Sequence, residues 1–408
     1  GTGFTVSEAG SLDVVQVSGI EEVEVDFTAG SGILRIIGDF AGSGIRVNTI
    51  AIEGGAGNDV VDAALMTGTS AASKVGIDFN GNDGDDTFTS GVGSDVFDGG
   101  AGTDTYVVNG AFSNYAIAVA SDGTVTITDT ASGAVDTAHA NVEFLNIGGT
   151  VIDMTLPVHV FDTSDSLVGT FATLQLAHDD AGTSPGYRIN LFGPITGQAL
   201  TVTKDNLKIE GQSEDTGNTF TLGGAVTTVT LLGDAPFDVI GNNAANVING
   251  NDGDNRIVGG KGDDRLKGGE GSDTYEVGYG HGFDTFTDTG TSGTDRIVST
   301  HQSASIGVSG NFSKASSGIE EIVGVSGGSN RVLGDSNNNT LNFAGMTVTD
   351  AKLDGGNGDD IITGTDGDDV IVGGKGDDRL KGGEGSDTYE IGYGHGFDTF
   401  TDTGTSGT

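Results

Sequence analysis

A nine-residue repeat dominates this sequence and limits what it can fold into. Residues 355–390 read GGNGDDIIT, GTDGDDVIV, GGKGDDRLK and GGEGSDTYE. Glycine recurs at places one, two and four, aspartate at place six, and a large apolar residue at place eight. A period of nine with this pattern is typical of a parallel β-solenoid in which six residues turn and three form a strand. The sequence therefore predicts an all-β protein.

The same repeat occurs upstream, with four copies in 241–276, three in 81–107 and one in 54–62. Place eight is apolar or aromatic in every copy. Because strand side chains alternate between two faces, this place is expected to point inward and build the core. Its residues are Val61, Phe88, Phe97, Tyr106, Ile248, Ile257, Leu266, Tyr275, Ile362, Ile371, Leu380 and Tyr389.

Aspartate at place six indicates metal binding. Stacked carboxylates about 4 Å apart repel by roughly 4 kcal/mol at an effective dielectric of about 20. A hard cation between coils removes this repulsion, and carboxylates with loop carbonyls are ligands that calcium takes. Irregular repeats at 279–287 and 393–401 add two aspartates at place six, Asp284 and Asp398. Asn255 occupies place six without a charge, and there we expect weaker calcium binding or the start of a roll. The candidate carboxylates are Asp59, Asp86, Asp95, Asp104, Asp264, Asp273, Asp284, Asp360, Asp369, Asp378, Asp387 and Asp398.

The repeat GGxGxDxUx, in which U is a large apolar residue, resembles the haemolysin-type repeat of RTX proteins. These are secreted bacterial toxins, proteases, lipases, alginate epimerases, adhesins and surface-layer proteins. The resemblance implies a calcium-bound β-roll in which carboxylates and loop carbonyls of alternate repeats share each ion, and we expect at least two ions in each complete roll. The glycines expected to contribute carbonyls are Gly260, Gly262, Gly356, Gly358, Gly374 and Gly376.

The positions of the repeats predict a chain of β-rolls joined by β-rich modules. Residues 258–294 and 372–408 are identical except for Val277 against Ile391, which indicates a tandem duplication and a longer repetitive parent protein. The predicted segments are a flanking module (1–53), a first roll (54–107), a capping flank (108–156), a small β-rich domain (157–240), a second roll (241–287), a spacer (288–354), a third roll (355–401) and the truncated start of another module (402–408).

Short alternating runs predict the strands of the connecting modules. A short helix is expected within 170–180, because Phe171, Leu174 and Ala177 share one helical face and Gly182 could end it. The predicted strands include 13–17, 22–26, 34–37, 199–202, 206–209, 219–222 and 226–232.

The composition excludes several classes of partner. A net charge of -42 argues against nucleic acid and anionic membranes. No apolar run reaches a membrane-spanning length, so membrane insertion is not expected. Disorder, the other interpretation of so acidic and glycine-rich a chain, is expected only without calcium, because the apolar places keep strict register. Glycan binding lacks support, since there is no tryptophan and three of the seven tyrosines are at place eight.

Catalytic motifs are poorly represented, and we expect no enzymatic activity. No HExxH motif is present, and the GxSxG at 324–328 lacks a following helix pattern. His281 and His395 are expected to be solvent-facing loop side chains. His178 and Asp179 could imitate part of an acid–base site, but the DPH-type motif of alginate epimerases is missing.

These features predict a calcium-binding region of a secreted bacterial structural protein: a surface layer, adhesin or matrix. It is expected to lie outside the cell or on its surface, to be exported by a type I route without an N-terminal signal peptide in this chain, to fold on calcium binding, and to self-assemble head to tail or laterally. The alternative is the non-catalytic secretion and folding region of an RTX lipase, protease or alginate epimerase whose catalytic domain lies elsewhere.

Overall fold

The computed structural model describes residues 5–6, 24–26, 31–38, 49–66, 75–120, 122–164, 167–180, 186–191 and 195–402. The fold is all-β, with parallel strands stacked into a solenoid, as the repeat predicts. Two compact units divide the chain, Gly1–Ala172 and Thr173–Thr408. Their boundary falls within the segment 157–240, while the finer division into eight segments stays a prediction.

Unit one consists of strands with one short 3-10 helix, Phe112–Asn114, among its described residues. The strands are β1 Thr5–Val6, β2 Glu24–Asp26, β3 Ile33–Gly38, β4 Thr49–Glu53, β5 Val60–Met66, β6 Gly76–Asn80, β7 Thr87–Thr89, β8 Val96–Asp98, β9 Thr105–Val108, β10 Tyr115–Val119, β11 Val125–Asp129, β12 Val135–Ala138, β13 Phe144–Ile147, β14 Thr150–Asp153, β15 Val158–Phe161 and β16 Leu167–Phe171. One sheet has the order β1-β2-β4-β6-β8-β12-β11-β10 and a second the order β14-β13-β9-β7-β5-β3.

Unit two is a longer solenoid of the same kind, and its described residues include two short helices, α1 Leu174–Asp180 and α2 Lys314–Ser317. Its strands are β17 Arg188–Leu191, β18 Ala199–Val202, β19 Leu207–Gly211, β20 Thr219–Leu222, β21 Thr228–Gly233, β22 Asp238–Ile240, β23 Val247–Asn249, β24 Arg256–Val258, β25 Arg265–Lys267, β26 Thr274–Val277, β27 Phe283–Thr287, β28 Arg296–Ser299, β29 Ser305–Val308, β30 Phe312–Ser313, β31 Glu321–Val323, β32 Asn330–Gly334, β33 Thr340–Asn342, β34 Thr347–Thr349, β35 Ala351–Asn357, β36 Ile361–Thr363, β37 Val370–Lys375, β38 Arg379–Lys381, β39 Thr388–Glu390 and β40 Thr399–Thr401.

Two repeats make one coil, meaning one full circuit of the solenoid. In the second roll β23 pairs with β25, so that Ile248 lies beside Leu266, and β24 pairs with β26, so that Ile257 lies beside Tyr275. Consecutive repeats therefore belong to opposite sheets, and place eight of alternate repeats stacks along the same sheet.

The core is the inward stack that place eight predicts. Every place-eight side chain is at most 2% exposed, except that of Tyr389 in the last described coil, which is half-buried. In unit one the stack is aromatic: the ring centroids of Phe79 and Phe97 lie 5.3 Å apart, as do those of Phe88 and Tyr106.

The spacer 288–354 continues the solenoid of unit two. Strand β28 pairs in parallel with β26, and β31 pairs with β28, so the sheets of the roll extend into the spacer. The predicted strands at 199–202 and 219–222 are observed as β18 and β20. The predicted strand at 13–17 lies outside the described residues.

Helix α1 is shorter than the predicted segment. Phe171 belongs to β16, and the helix begins after Thr173, whose hydroxyl accepts the N–H of Leu176 at 3.2 Å. Leu174 and Ala177 are fully buried, as their shared helical face predicts.

Candidate metal centre

Place-six aspartates connect successive coils through one carboxylate oxygen. The Oδ1 atom of Asp378 accepts the backbone N–H of Asp360 at 2.8 Å, and Oδ1 of Asp104 accepts that of Asp86 at 2.8 Å. Asp284, from the irregular repeat, accepts the N–H of Asp264 at 3.0 Å in the same way. Within each roll, these bonds bring the carboxylates predicted from the repeat into two stacks, one along each of its two sheets.

The second oxygen, Oδ2, divides the repeats into two groups. In seven repeats, which we call open turns, Oδ2 is buried without a hydrogen-bond partner. In three others, called closed turns, the place-two residue of the same repeat donates its N–H to Oδ2. The open turns contain Asp86, Asp104, Asp264, Asp273, Asp360, Asp378 and Asp387. The closed turns contain Asp59 (2.8 Å), Asp95 (2.7 Å) and Asp369 (2.6 Å).

The backbone conformation at place two accompanies this division. In all seven open turns the place-two residue has a left-handed φ, for example 107° at Gly374 and 70° at Asn82. At Gly91 and Thr365, in closed turns, φ lies outside that region. The left-handed φ is therefore found wherever the place-two N–H leaves the carboxylate oxygen free.

The glycine-rich loops bring backbone carbonyls close to the next coil. A methyl group added to Gly374 would lie 2.0 Å from the carbonyl oxygen of Gly356, and one added to Gly376 would lie 2.0 Å from that of Gly358. The carbonyls of Gly262 and Gly376 similarly approach the following coil, at Gly282 and Gly396. Four of the predicted carbonyl donors thus face the space between coils.

Burial raises the pKa values of the place-six carboxyls. Desolvation is the largest cause at Asp86 and Asp104, with pKa values raised to about 6, and at Asp360 and Asp284, with values raised to about 7. Neighbouring carboxylates raise these pKa values further. A bare anionic stack is thus unfavourable in this interior.

These residues fit calcium. Calcium binds six to eight oxygen ligands at about 2.3–2.6 Å. The open turns provide buried carboxylate oxygens that lack any protein partner, together with the carbonyls of the loops. A bound ion would supply the positive charge that pairs these oxygens.

Comparison with known protein families agrees with this geometry. The RTX calcium-binding nonapeptide repeat matches four parts of the chain, residues 51–65, 78–107, 240–275 and 354–389. This is an RTX repeat protein. Its repeats are calcium-binding repeats, and they form the β-solenoid described above.

Similarity to individual proteins is more distant. No curated protein matches the chain. Among solved structures, the extracellular lipase LipA from Serratia marcescens is 17% identical over 68% of this chain and 35% of the lipase, with a TM-score of 0.19. The matched region therefore spans about a third of the lipase chain. No helix among the described residues is long and apolar enough to cross a membrane.

Place-five aspartates of the RTX rolls have a backbone role. Asp359 accepts the N–H of Asp377 through Oδ1 at 2.9 Å, and Asp368 accepts that of Ser386 at 2.8 Å. These carboxylates are exposed and hold the loops of successive coils together.

Asparagine at place six satisfies its turn without an ion. The Oδ1 atom of Asn255 accepts the N–H of Asn251 at 3.0 Å, and its Nδ2 donates to Oδ1 of Asn251 at 2.8 Å. Asn246 similarly donates to the carbonyl of Val226 at 3.0 Å. A calcium ion at Asn255 would have to displace these bonds, so its place in the ligand set stays a prediction.

The structure adds carboxylates that the sequence analysis missed. Asp136 and Asp295 accept the N–H groups of Asp95 and Asp273 at 3.0 and 2.8 Å, as a place-six residue does. The signal for Asp295 is the stretch GTSGTDRIV at 290–298, which keeps glycine at places one and four, aspartate at place six and isoleucine at place eight.

Proposed function

We propose that this chain is a non-catalytic, calcium-gated folding region of a secreted bacterial structural protein, such as a surface layer, adhesin or matrix. The observation that carries the proposal is the set of seven open turns, in which a buried carboxylate oxygen has no protein partner. Without a cation, these charges oppose the compact state. With calcium they become ligands, so the free energy of ion binding becomes free energy of folding.

Calcium-dependent folding is compatible with secretion. A chain with a net charge of -42 and no counter-ions would stay unfolded where free calcium is low, which suits passage through a narrow exporter. Outside the cell, calcium at roughly 0.1–1 mM is in the affinity range of extracellular calcium modules. Each coil contacts mainly its neighbours, so folding would propagate along the solenoid.

A structural role is supported by the tandem duplication. Residues 258–294 recur almost unchanged at 372–408, and both copies of the shared sequence form paired strands, β25 with β27 and β38 with β40. Coils of this repeated sequence pair their strands with neighbouring coils, and such repetition favours extended arrays. We include calcium-dependent assembly, head to tail or lateral, in the proposal.

The surroundings of the candidate catalytic residues favour a non-catalytic role. Ser326 lies in an exposed turn between strands β31 and β32, whereas a nucleophile elbow needs a helix after the turn. His178 is buried, and its Nε2 accepts the backbone N–H of Thr203 at 3.0 Å. His281 is half-buried rather than solvent-facing, and burial lowers its pKa.

The experiment is a calcium titration of chelator-treated protein followed by far-ultraviolet circular dichroism, with magnesium as control. We expect a cooperative change from unfolded to β at roughly 0.1–1 mM calcium and none with magnesium. An unchanged β spectrum in chelator would contradict the gate. Light scattering in the same titration tests assembly: a particle that stays monomeric at all calcium concentrations rules it out.

A further inference from the structure

Three buried carboxylates converge beside the second roll, and one of them lies outside the repeat. Asp273 is the place-six residue of GGEGSDTYE, Asp295 belongs to GTSGTDRIV, and Asp288 lies between the repeats in neither. Their exposed fractions are 0%, 5% and 8%. One carboxylate oxygen from each lies within 4.8 Å of the other two.

Two of these oxygens point to one spot. A methyl group added to Gly268 would lie 2.1 Å from Oδ2 of Asp273 and 2.3 Å from Oδ2 of Asp288. The Oδ2 atom of Asp273 is buried and has no hydrogen-bond partner. The Tyr275 hydroxyl donates to Oδ2 of Asp288 at 3.1 Å, which orients that carboxylate.

Backbone hydrogen bonds hold Asp288 and Asp295 in place. The N–H of Asp288 donates to the carbonyl of Ser317 at 2.5 Å, and its Oδ1 accepts the N–H of Gly290 at 2.9 Å. Oδ1 of Asp295 accepts the N–H of Asp273 at 2.8 Å. The carboxylates are therefore brought together by the coil itself, without long flexible side chains.

No protein cation balances this cluster among the residues that the structure describes. Lysine, arginine and histidine form ion pairs elsewhere, but none is recorded with Asp273, Asp288 or Asp295. Three carboxylates within 4.8 Å repel strongly when buried. Oxygens that share one calcium ion at about 2.3–2.6 Å are at most about 5 Å apart, so this spacing accommodates the ion.

We propose that Asp273, Asp288 and Asp295 form a calcium site in which Asp288 is a ligand supplied from outside the nonapeptide repeat. The site would link the second roll to the segment that follows it, because Asp273 belongs to the roll, Asp295 belongs to residues 290–298, and Asp288 lies between them. The inference rests on the calcium-dependent folding proposed above and adds to it a ligand, Asp288, that the repeat pattern does not predict.

The duplication supplies a matched control. Asp402 lies 114 residues after Asp288 in near-identical sequence, and among the described residues it belongs to no comparable cluster of three carboxylates. The variants D288N and D402N therefore make the same substitution with and without a third carboxylate. In each, asparagine keeps the size of the side chain and one oxygen.

Bound calcium per chain is measured by elemental analysis after equilibrium dialysis, for wild type, D288N and D402N, with circular dichroism to show that each folds. We expect D288N to bind one ion fewer than both wild type and D402N. Equal counts in D288N and D402N overturn the site. A wild type that folds without calcium overturns the gate instead, so the two failures are distinguishable.

A second measurement covers the case in which D288N does not fold. Terbium replaces calcium, and its emission is excited through tyrosine in wild type and in Y275F, which keeps all three carboxylates. Because the Tyr275 hydroxyl contacts Asp288, Y275F should lose part of the sensitised emission while the calcium count stays the same. Undiminished emission in Y275F means that no ion lies beside Tyr275, and the proposal is then wrong.

Discussion

The backbone N–H of Asp360 donates to Oδ1 of Asp378, one coil further along, at 2.8 Å, while Oδ2 of Asp378 is buried without a partner. One oxygen of the carboxylate thus supports the preceding coil, and the other remains for a cation. The division recurs at Asp104 in unit one. It supports the proposal that a cation, by pairing these buried oxygens, favours folding of a highly acidic chain.

The open and closed turns predict different effects of the same substitution. D378N should remove about one bound calcium ion, because the free Oδ2 of an open turn is lost. D369N should leave the count unchanged, since Oδ2 of Asp369 already accepts the N–H of Thr365 at 2.6 Å, and one amide oxygen can still accept it. Elemental analysis of dialysed protein measures both, and equal losses would contradict the distinction.

The calcium-free protein should gain β-structure on mild acidification. The pKa values of Asp86 and Asp360 are raised to about 6 and about 7, mainly by desolvation. Protonation therefore favours the folded state. This stabilisation is complete below about pH 4, the pKa of aspartate in the unfolded chain, and is lost as the pH rises through about 6–7, the pKa values in the folded state.

Circular dichroism in chelator, from about pH 8 down to about pH 5, measures this change. Calcium affinity should move in the opposite direction and weaken as the pH falls, because the ligands must be deprotonated. A β signal that falls on acidification, with light scattering unchanged, would show that the raised pKa values do not govern folding.

Gly374 should not tolerate a side chain. It has a φ of 107°, and a methyl group there would lie 2.0 Å from the carbonyl oxygen of Gly356. In the presence of calcium, we expect G374A to lower the free energy of unfolding by about 1–3 kcal/mol from backbone strain alone. The substitution should also weaken calcium binding, because it separates the coils. G367A is the control, because its methyl group would come no closer than 3.6 Å to the Thr365 hydroxyl. Urea unfolding in calcium distinguishes the two, and an equal cost would refute the close approach.

Truncation of the aromatic core should destabilise the first roll. Phe88 is fully buried, and its ring lies 5.3 Å from that of Tyr106. F88A should reduce the free energy of unfolding by about 3–5 kcal/mol in calcium. V151A, at a strand position that is 60% exposed, should cost less than about 1 kcal/mol. A small effect of F88A would mean that bound calcium, rather than this core, holds the coil together.

The period of nine was sufficient to predict much of the protein. It indicated parallel strands, the inward place-eight side chains of each roll and the place-six carboxylates, because these depend on a local alternation that every repeat restates. The stacked carboxylates indicated calcium, and the resemblance to RTX repeats implied that alternate repeats share each ion. Asp295 lies within 288–354, which the sequence predicts as a β-rich spacer, and it is therefore absent from the predicted ligands.

Which carboxylates are free for calcium was decided only by the tertiary structure. Residue type at place two does not determine it: Gly91 closes its turn, whereas Asn82 has the left-handed φ of an open one. The tertiary structure also brings together residues that the repeat does not relate: Asp288 and Asp273 both lie beside Gly268. The physical reason is the same in both cases. The sequence determined the period and the inward side chains through local geometry, whereas the φ of each loop and the partners of each oxygen depend on how neighbouring coils pack.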